Sequence, residues 1–281
     1  MNVSVERPVL EDREFRKLSN FIEKELGIRM PDIKRVMLES RLHKRLRILK
    51  MSHFSDYCDY LFSEQGMRQE FPFMIDVVTT NKTDFFREPD HFVYMENNII
   101  RPYLSSHHGS GTFDIWSSAS STGEEIYTLA MVMEGIREDY GALNYSILGS
   151  DISQEVLAKA RKGIYHSSRI DVIPMNMKKK FFLKSKNAEE ELVKVKPLLQ
   201  KNVSFVQQNL MHDRYNIKKT FDIIYCRNVL IYFSTEKQKK ILLNLHRHLK
   251  EDGFLFLGHS ETITGLNLPY VSVAPTIYKK S

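Results

Sequence analysis

The sequence predicts an α/β protein in which a mostly parallel sheet is covered by helices on both faces. Two changes of pattern along the chain lead to this prediction. Apolar residues recur at helical spacing from Glu11 to Leu61, whereas strand-like and helix-like segments alternate from Thr112 onward. A stretch at about 181–202 breaks the alternation. We therefore expect an all-helical N-terminal domain and a small inserted β subdomain beside the main domain.

The N-terminal part is predicted to contain amphipathic helices. In "REFRKLSNFIEKELGI" the apolar residues share one helical face: Phe15, Leu18, Ile22 and Leu26. Pro31 begins a second helix that runs through "DIKRVMLESRLHKRLRIL". Four basic residues gather beside its leucine stripe: Lys34, Arg41, Lys44 and Arg45. This basic face has two interpretations, a solvated helix surface or a docking surface for an acidic partner.

The alternating part predicts its elements in chain order. A strand "TFDIW", a helix "EEIYTLAMVMEGI", a strand "YSILGSD" and a helix "ISQEVLAKARKGI" come first. Two strands follow, "VSFVQ" and "FDIIYC", and Thr235 begins a helix with Gln238 at the capping-box spacing. "LKEDGFLFLG" predicts a helix end, a turn and a strand, and "VSVAPTIYK" predicts one last strand. Because no helix separates these final two strands, they should pair antiparallel.

Composition and charge narrow the class of protein. The 281 residues are 42% apolar and 27% charged, an ordinary globular composition. The apolar runs are too short for a membrane span and the N-terminus has no signal pattern, so a soluble cytoplasmic protein is expected. With only Cys58 and Cys226, neither a disulfide framework nor a metal site is expected. The net charge of +6 favours an acidic partner, which is nucleic acid, a membrane surface or an acidic protein.

Four loops are predicted to meet at one edge of the sheet, because ligands of open α/β sheets bind beyond the carboxyl ends of the strands. The loop after Trp116 contains residues small enough for close backbone approach to a ligand: Ala119, Ser120 and Gly123. Asp151 ends the second strand, where it can accept both hydroxyls of a ribose; a solvated aspartate before a helix is the alternative. The later loops offer two amides suited to an adenine edge and a phenol: Asn209, Asn228 and Tyr232.

The loop "WSSASSTGEEIY" decides which ligand is expected. A dinucleotide fold needs G-x-G-x-x-G to seat pyrophosphate on the helix N-terminus, and this loop has one glycine. Glu124 and Glu125 follow at once and would repel phosphate. A ligand with adenosine, no phosphate and a positive charge fits better, and S-adenosylmethionine is such a ligand. The alternative is that the two acids only favour the helix dipole.

A polar cluster precedes the alternating part. The segment "VVTTNKTDFFREPDHF" combines polar residues with two phenylalanines: Thr80, Asn81, Thr83, Phe85, Phe86 and Arg87. This mixture indicates a contribution to the site, whereas the alternative is a capped connecting helix.

Together, "TTNKTDFFRE", "WSSASSTGEEIY", "GSDIS", "CRNVLIYF" and "GHSET" closely resemble the CheR family of chemotaxis receptor methyltransferases, in the family's order over nearly the whole chain. The resemblance implies a class I S-adenosylmethionine-dependent methyltransferase domain with a Rossmann-like fold. Its implied organisation is a helical receptor-docking domain at 1–75, a linker and helix at 76–110, and the methyltransferase domain at 111–281 with the β insertion at about 181–202. The implied reaction is methyl esterification of receptor glutamate side chains, with S-adenosylhomocysteine as the second product.

The resemblance also implies roles for individual residues. Nine positions would contact the cofactor: Asn81, Thr83, Arg87, Glu125, Asp151, Asn209, Leu210, Asn228 and Val229. The small Ala119 of the first loop, named above for close backbone approach, is a tenth expected cofactor-binding position. Arg87 and Tyr232 would also face the reacting groups. A glutamate with a pKa of about 4.3 is ionised at neutral pH and needs no general base, so His259 and the pair His107 and His108 are expected to be structural or exposed. The basic helix would dock on the acidic helical bundle of the receptor.

Two other functions remain open at this stage, an RNA or DNA methyltransferase and a non-catalytic adaptor that senses the cofactor. The retained Arg87 and Tyr232 argue against the adaptor, and the absence of interleaved aromatic and basic residues on the N-terminal helix argues against nucleic acid. We further expect no dependence on a receptor tail peptide. The insertion has no glycine between Phe181 and Asn202, three consecutive acids would repel an acidic tail, and Pro197 removes a donor from the edge after "ELVKV".

Overall fold

The computed structural model describes residues 7–281 and divides the chain into two compact units. The helical unit runs to Thr80 and includes Tyr232–Ser234, and the sheet unit comprises Asn81–Ile231 and Thr235–Ser281. Residues 1–6 lie outside the described residues. They include the start of the predicted domain 1–75 and of the N-terminal stretch in which we expected no signal peptide.

The helical unit is built from amphipathic helices, as predicted. Its helices are α1 (Asp12–Leu26), α2 (Arg35–Leu49, after a 3-10 turn at Asp32–Lys34), α3 (Phe54–Leu61), α4 (Glu64–Gln69) and α5 (Phe71–Val78). The four predicted apolar residues of α1 are all buried. α1 ends at Gly27, whose φ of 76° lets its N–H bond to the carbonyl of Glu23.

The sheet unit alternates helices and strands. Its helices are α6 (Asp90–Tyr94), α7 (Arg101–Ser106, after a π-helical turn at Met95–Ile100), α8 (Glu124–Tyr140), α9 (Gln154–Lys162), α10 (Met175–Phe181), α11 (Pro197–Gln200) and α12 (Thr235–His248). Its strands are β1 (Ser110–Ser118), β2 (Ala142–Asp151), β3 (Ile164–His166), β4 (Phe182–Lys184), β5 (Leu192–Val195), β6 (Val203–Gln207), β7 (Phe221–Cys226), β8 (Leu249–Leu257), β9 (Tyr270–Ala274) and β10 (Ile277–Lys280).

The main sheet has seven strands in the order β6-β2-β1-β7-β8-β10-β9. The five strands from β6 to β8 are parallel, and β10 pairs antiparallel with β8 as predicted. From β1 the chain builds outward through β2 and β6 on one side and through β7 and β8 on the other. The boundary between β1 and β7 is therefore the topological switch point, where open α/β sheets bind ligands.

The prediction of one last strand in "VSVAPTIYK" is wrong. The segment forms a hairpin of β9 and β10 that turns at Pro275 and Thr276, and Thr276 has a φ of 57°. Pro275 cannot donate to a ladder, which explains why the strand breaks there. β8 also begins at Leu249, where the sequence predicted the end of a helix.

The inserted β subdomain is a small antiparallel sheet in the order β3-β5-β4. β4 and β5 lie within the predicted insertion 181–202, whereas β3 lies before it. Pro197, which we expected to weaken a sheet edge, instead occupies the first turn of α11.

The boundary between the two units also differs from the predicted one. α5 extends past residue 75 to Val78, and the segment predicted as a linker at 76–110 contributes core residues to the sheet unit. Phe85, Phe92 and Met95 are each at most 3% exposed and belong to the same core as β1 and α8. Burial of this apolar surface makes the segment part of the sheet unit.

Within residues 7–281, no helix combines the length and the apolar character that crossing a bilayer requires.

Candidate active site

The carboxyl ends of four parallel strands meet at the predicted edge. In the sheet register, Ser118 at the end of β1 pairs with Ser150 on β2 and with Cys226 at the end of β7. Asp151 pairs with Gln207, the last residue of β6. The loops that carry Ala119, Asn209 and Asn228 therefore leave the sheet side by side, as the sequence predicted.

Backbone strain concentrates in the loops at this edge. Five residues other than glycine adopt left-handed φ angles between 49° and 58°: Phe86, Glu88, Ala119, Ser121 and Asn228. Each such residue costs on the order of 1–3 kcal/mol, and such residues cluster at functional sites. The single glycine of the first loop is required as well. Gly123 has a φ of 96°, and a Cβ there would lie 2.9 Å from the Cβ of Ala160.

Asp151 fastens three of the loops. Its Oδ2 accepts the N–H of Ser121 at 2.9 Å, and its Oδ1 accepts the N–H of Ser153 at 3.0 Å. Its backbone carbonyl accepts the N–H of Gln208 at 2.9 Å, and the residue is only 7% exposed. Asp151 is thus a fixed, nearly buried carboxylate, and not the solvated aspartate of the alternative interpretation.

The two glutamates of the first loop have different partners. Glu124 is buried, and its carboxylate accepts from Arg169 Nη2 at 2.8 Å and from Thr122 Oγ1 at 2.6 Å. Glu125 accepts from Ser117 Oγ at 2.8 Å through Oε1, while its Oε2 lies 3.3 Å from Arg227 Nε. Glu124 therefore holds the loop through Arg169, whereas Glu125 contacts Ser117 and Arg227 at the carboxyl ends of β1 and β7.

Arg227, for which no role was predicted, connects Glu88 with Glu125. Its side chain is 1% exposed, its Nη2 lies 3.5 Å from Glu88 Oε2, and the same nitrogen donates to the backbone carbonyl of Arg87. The guanidinium also lies 5.4 Å from the ring centroid of Phe92. The available signal was an arginine directly after a buried strand, since a buried cation needs acidic partners.

The segment from Asn81 to Glu88 belongs to the sheet unit and forms no helix. The carbonyl of Asn81 accepts from Ser121 Oγ at 2.9 Å, and the N–H of Phe86 donates to Thr128 Oγ1 at 3.1 Å. The carbonyl of Thr83 accepts from Arg169. The alternative of a capped connecting helix is therefore wrong. Arg87, half-buried, donates from Nη1 to the carbonyl of Lys82 at 3.0 Å.

The hydrogen bonds separate the two asparagines that we expected to bind one adenine edge. Asn228 Nδ2 donates to Glu88 Oε1 at 3.0 Å, and Glu88 shares Arg227 with Glu125. Asn209 follows β6 and accepts the N–H of Met211 through Oδ1 at 2.9 Å, with the buried Leu210 beside it. Asn228 and Val229 therefore belong with Glu125, and Asn209 and Leu210 follow the strand that pairs with Asp151.

Three possible metal ligands also meet at this edge. Ligand atoms of Glu88, His91 and His259 lie within 4.8 Å of one another. Arg227 already supplies a positive charge 3.5 Å from the Glu88 carboxylate, which opposes a metal ion there. Burial and the charge of Arg227 lower the pKa of His91 to about 4, and its Nε2 lies 2.9 Å from Thr276 Oγ1. His259 is half exposed, as expected.

The helical unit corrects one predicted docking residue. Arg45 is buried, and its Nε and Nη2 donate to Glu70 Oε1 and Oε2 at 2.8 and 2.6 Å. It lies three residues after the buried Leu42, on the core side of α2, and so is not available to a partner. Lys44 is exposed, while Lys34 and Arg41 are half-buried.

Tyr232, the predicted second catalytic residue, groups with the helical unit. Its backbone carbonyl accepts the N–H of Arg29 at 3.0 Å, and Lys34 Nζ lies 5.9 Å from its ring centroid. It is half-buried. Its role in catalysis stays a prediction.

These residues fit S-adenosylmethionine by their chemistry. Asp151 is a fixed carboxylate at a strand end, Glu125 can pair with an ammonium, and the loop that precedes Glu124 has no glycine-rich phosphate cradle. The hydroxyl of Ser120 is buried beside Asp151's partner Ser121 and has no protein partner. A ligand hydroxyl or carboxylate would satisfy such a group.

Comparison with known proteins gives a consistent result over both units. Residues 13–79 match the family described as CheR methyltransferase, all-alpha domain, and residues 81–278 match CheR methyltransferase, SAM binding domain. The chain is 37% identical over 278 residues to a chemotaxis protein methyltransferase of Escherichia coli, covering 98% of this chain and 93% of that protein. It is 36% identical over 274 residues to a protein of the same name from Borreliella burgdorferi, covering 95% and 94%.

Proposed function

The chain belongs to the CheR methyltransferase family, and we propose that it transfers a methyl group from S-adenosylmethionine to glutamate side-chain carboxylates of chemoreceptors. The products are glutamate methyl esters and S-adenosylhomocysteine. The observation that carries this proposal is that two oriented carboxylates lie at the same edge of the sheet: Asp151, fixed by backbone N–H groups, and Glu125, oriented by Ser117 and Arg227. The relatives of the chain are chemotaxis protein methyltransferases.

Each part of the cofactor has a candidate partner in this site. Asp151 would accept the ribose hydroxyls, and Asn209 with Leu210 would flank the adenine. Glu125 would pair with the ammonium group, with Asn228 and Val229 beside it. Asn81, Thr83 and Ala119 belong to loops that Ser121 and Arg169 fasten, so they would form the walls of the site.

The chemistry requires alignment more than acid or base catalysis. When bound, S-adenosylmethionine supplies an electrophilic methyl group on a positively charged sulfur. The acceptor glutamate is already ionised at neutral pH, because its ordinary pKa is about 4.3. Attack of its carboxylate cancels two opposite charges, so a water-poor site favours the reaction. Arg87 would orient the acceptor carboxylate, and the Tyr232 hydroxyl would hydrogen-bond beside the transferred methyl.

The receptor would dock on the helical unit. Lys34 in the turn before α2 and Arg41 and Lys44 on α2 form a positively charged strip. Two apolar side chains beside it, Ile33 and Val36, are 90% and 76% exposed. Mixed basic and exposed apolar character suits the acidic helical bundle of a receptor. The protein would then work in the cytoplasm at receptor arrays, without inserting into the membrane.

The test is methyl transfer to isolated receptor cytoplasmic fragments with methyl-labelled cofactor. We expect label on the receptor that mild alkali releases as methanol, because carboxyl methyl esters hydrolyse under alkali. Asp151→Ala, which removes the ribose acceptor, is the negative control. A parallel incubation replaces the receptor fragments with total RNA. Alkali-stable label, or label on the RNA instead of the receptor, would favour the RNA methyltransferase. Cofactor binding without transfer to any receptor fragment would favour the adaptor.

A further inference from the structure

Glu261 is a buried carboxylate that no step of the proposed reaction uses. It follows β8 in the "GHSET" segment and is 5% exposed. Its Oε1 accepts the backbone N–H groups of Val229 and Leu230 at 2.8 and 2.7 Å. Its Oε2 accepts those of Asn228 and Gly258 at 2.8 and 2.7 Å. One side chain therefore satisfies four backbone donors from two separate loops.

Three of these donors are consecutive and converge on one point. Successive N–H groups form an anion-binding concavity when one residue of the turn is left-handed, and Asn228 has a φ of 57°. In this chain the anion is the protein's own carboxylate. Removal of that carboxylate would leave buried N–H donors unpaired. The hydrogen bonds that stabilise the left-handed conformation of Asn228 would be lost, and the turn would relax to another shape.

Gly258 shows how closely the two loops approach. A Cβ at this position would lie 2.5 Å from Asn228 Nδ2, 2.8 Å from Asn228 N and 2.9 Å from Glu261 Oε2. A side chain there must displace the turn, so position 258 admits only glycine without a shift. The contact offers a way to move the turn without changing any charge.

We propose that Glu261 is a positioning residue that holds the turn Asn228–Leu230 in the shape that binds the amino-acid part of S-adenosylmethionine. The inference rests on the cofactor-binding role proposed for Asn228 and Val229. The link to that part of the cofactor is Glu88, which accepts from Asn228 Nδ2 and shares Arg227 with Glu125. Both oxygens of Glu261 are taken up by backbone N–H groups, so Glu261 would act through the backbone of the turn and not by contact with the cofactor.

The test compares two ligands. S-adenosylhomocysteine carries the amino-acid part, and 5′-methylthioadenosine has the same nucleoside without it. In Glu261→Gln one oxygen becomes a donor that faces the N–H groups of two residues. Calorimetry should show affinity for S-adenosylhomocysteine falling about ten-fold or more, since lost hydrogen bonds to a charged group have effects of this size. Affinity for 5′-methylthioadenosine should stay within about two-fold, because it does not reach the turn.

Matched variants separate positioning from folding. Glu236→Gln removes an exposed carboxylate of α12 and should leave both affinities unchanged. Gly258→Ala should reproduce the selective loss, whereas Gly135→Ala, where a Cβ meets nothing within 4 Å, should not. If Glu261→Gln fails to fold, Gly258→Ala carries the test. Equal loss of both ligands, or no loss of either, would overturn the inference. Failure of the wild type to methylate a receptor would contradict the proposed function but not this inference, because the binding assays use only S-adenosylhomocysteine and 5′-methylthioadenosine.

Discussion

Arg45 and Glu70 form a bidentate ion pair in the core of the helical unit. The two bonds measure 2.8 and 2.6 Å, and Tyr57 adds a third donor to Glu70 Oε1 at 3.0 Å. The bond to Glu70 is the main reason that the pKa of Arg45 is raised, and burial raises the pKa of Tyr57 well above its usual range. Arg45 therefore ties α2 to the residue that precedes α5, and its neighbour Lys44 remains in solvent.

Arg45→Ala and Lys44→Ala should have opposite effects on folding and docking. Breaking a buried pair leaves Glu70 uncompensated, so Arg45→Ala should lower the free energy of unfolding of the helical unit by about 3–5 kcal/mol. Lys44→Ala should change it by about 0.5 kcal/mol or less. Urea unfolding followed by circular dichroism measures both. Similar unfolding curves for the two alanine variants would contradict this division.

Lys44→Glu should instead weaken receptor binding, and the wild-type interaction should weaken with salt as charges are screened over about 10 Å at 0.1 M.

Arg41 should affect cofactor binding although it lies on the docking helix. Its Nη1 donates to the carbonyls of Val78 and Thr79 at 2.6 and 3.1 Å, and its Nη2 donates to Thr80 Oγ1 at 3.1 Å. The chain continues directly into Asn81, a predicted cofactor contact. Arg41→Ala should therefore weaken S-adenosylhomocysteine binding by about three-fold to ten-fold, through loss of bonds that order this connection. Calorimetry without receptor measures it, and Lys44→Ala is the control. Unchanged affinity would limit Arg41 to docking.

The sequence predicted the features that depend on local spacing. Helical periodicity located α1 and α2, and the ends of alternating strands located Asp151 and Glu125 because parallel strands deliver their carboxyl ends to one edge. Features that depend on distant partners were missed. Glu70, 25 residues beyond Arg45, decides that the arginine is buried. Three of the four backbone donors to Glu261 lie more than 30 residues away, which no side-chain pattern reveals. The hairpin at Pro275 was hidden because apolar alternation continues across it.

Substitutions at Tyr232 and Arg87 should lower the rate of methyl transfer more than they lower the stability of the protein. Tyr232→Phe keeps the ring beside Lys34 and removes only the hydroxyl, so thermal stability should change little while the rate of methyl transfer falls about ten-fold or more. Arg87→Ala should lower the rate and also raise the KM for S-adenosylmethionine. Initial rates at saturating receptor measure both effects. Near wild-type rates in both variants would mean that the acceptor side of the site lies elsewhere.

His91 should make the protein less stable in mild acid. Its pKa in the folded protein is about 4, lowered first by burial and then by Arg227, against 6.5 in an unfolded chain. Between these values the unfolded chain binds a proton at His91 that the folded protein does not, so the contribution of His91 to stability is constant above about pH 6.5 and falls as pH drops toward 4. The full loss is about 3 kcal/mol for a shift of this size.

His91→Gln should remove that pH dependence. The glutamine does not titrate, so the difference in melting temperature between pH 7 and pH 5 should shrink relative to the wild type. Glu88 and His259 also face His91, and both remain in this variant. His107→Gln, an exposed histidine stacked on Tyr103, controls for loss of an imidazole. A pH profile identical to that of the wild type would contradict the role of His91.

The β subdomain should not bind a receptor tail peptide. Its two edge strands, β3 and β4, have three residues each, which offers an added strand few backbone partners. The turn from β4 to β5 carries Glu189, Glu190 and Glu191, and Glu191 Oε2 lies 3.0 Å from Nε2 of His166, the last residue of β3. These acids would repel an acidic tail, and no glycine relieves the backbone between Phe181 and Asn202. Tethering raises local concentration only if the tail binds.

Methylation rates for one receptor with and without its last residues should therefore agree within about two-fold, because no tether is lost. The tail peptide alone should show no binding to the full chain by calorimetry. A several-fold drop in rate on truncation, together with measurable peptide binding that Glu190→Lys strengthens, would instead identify the subdomain as a tether.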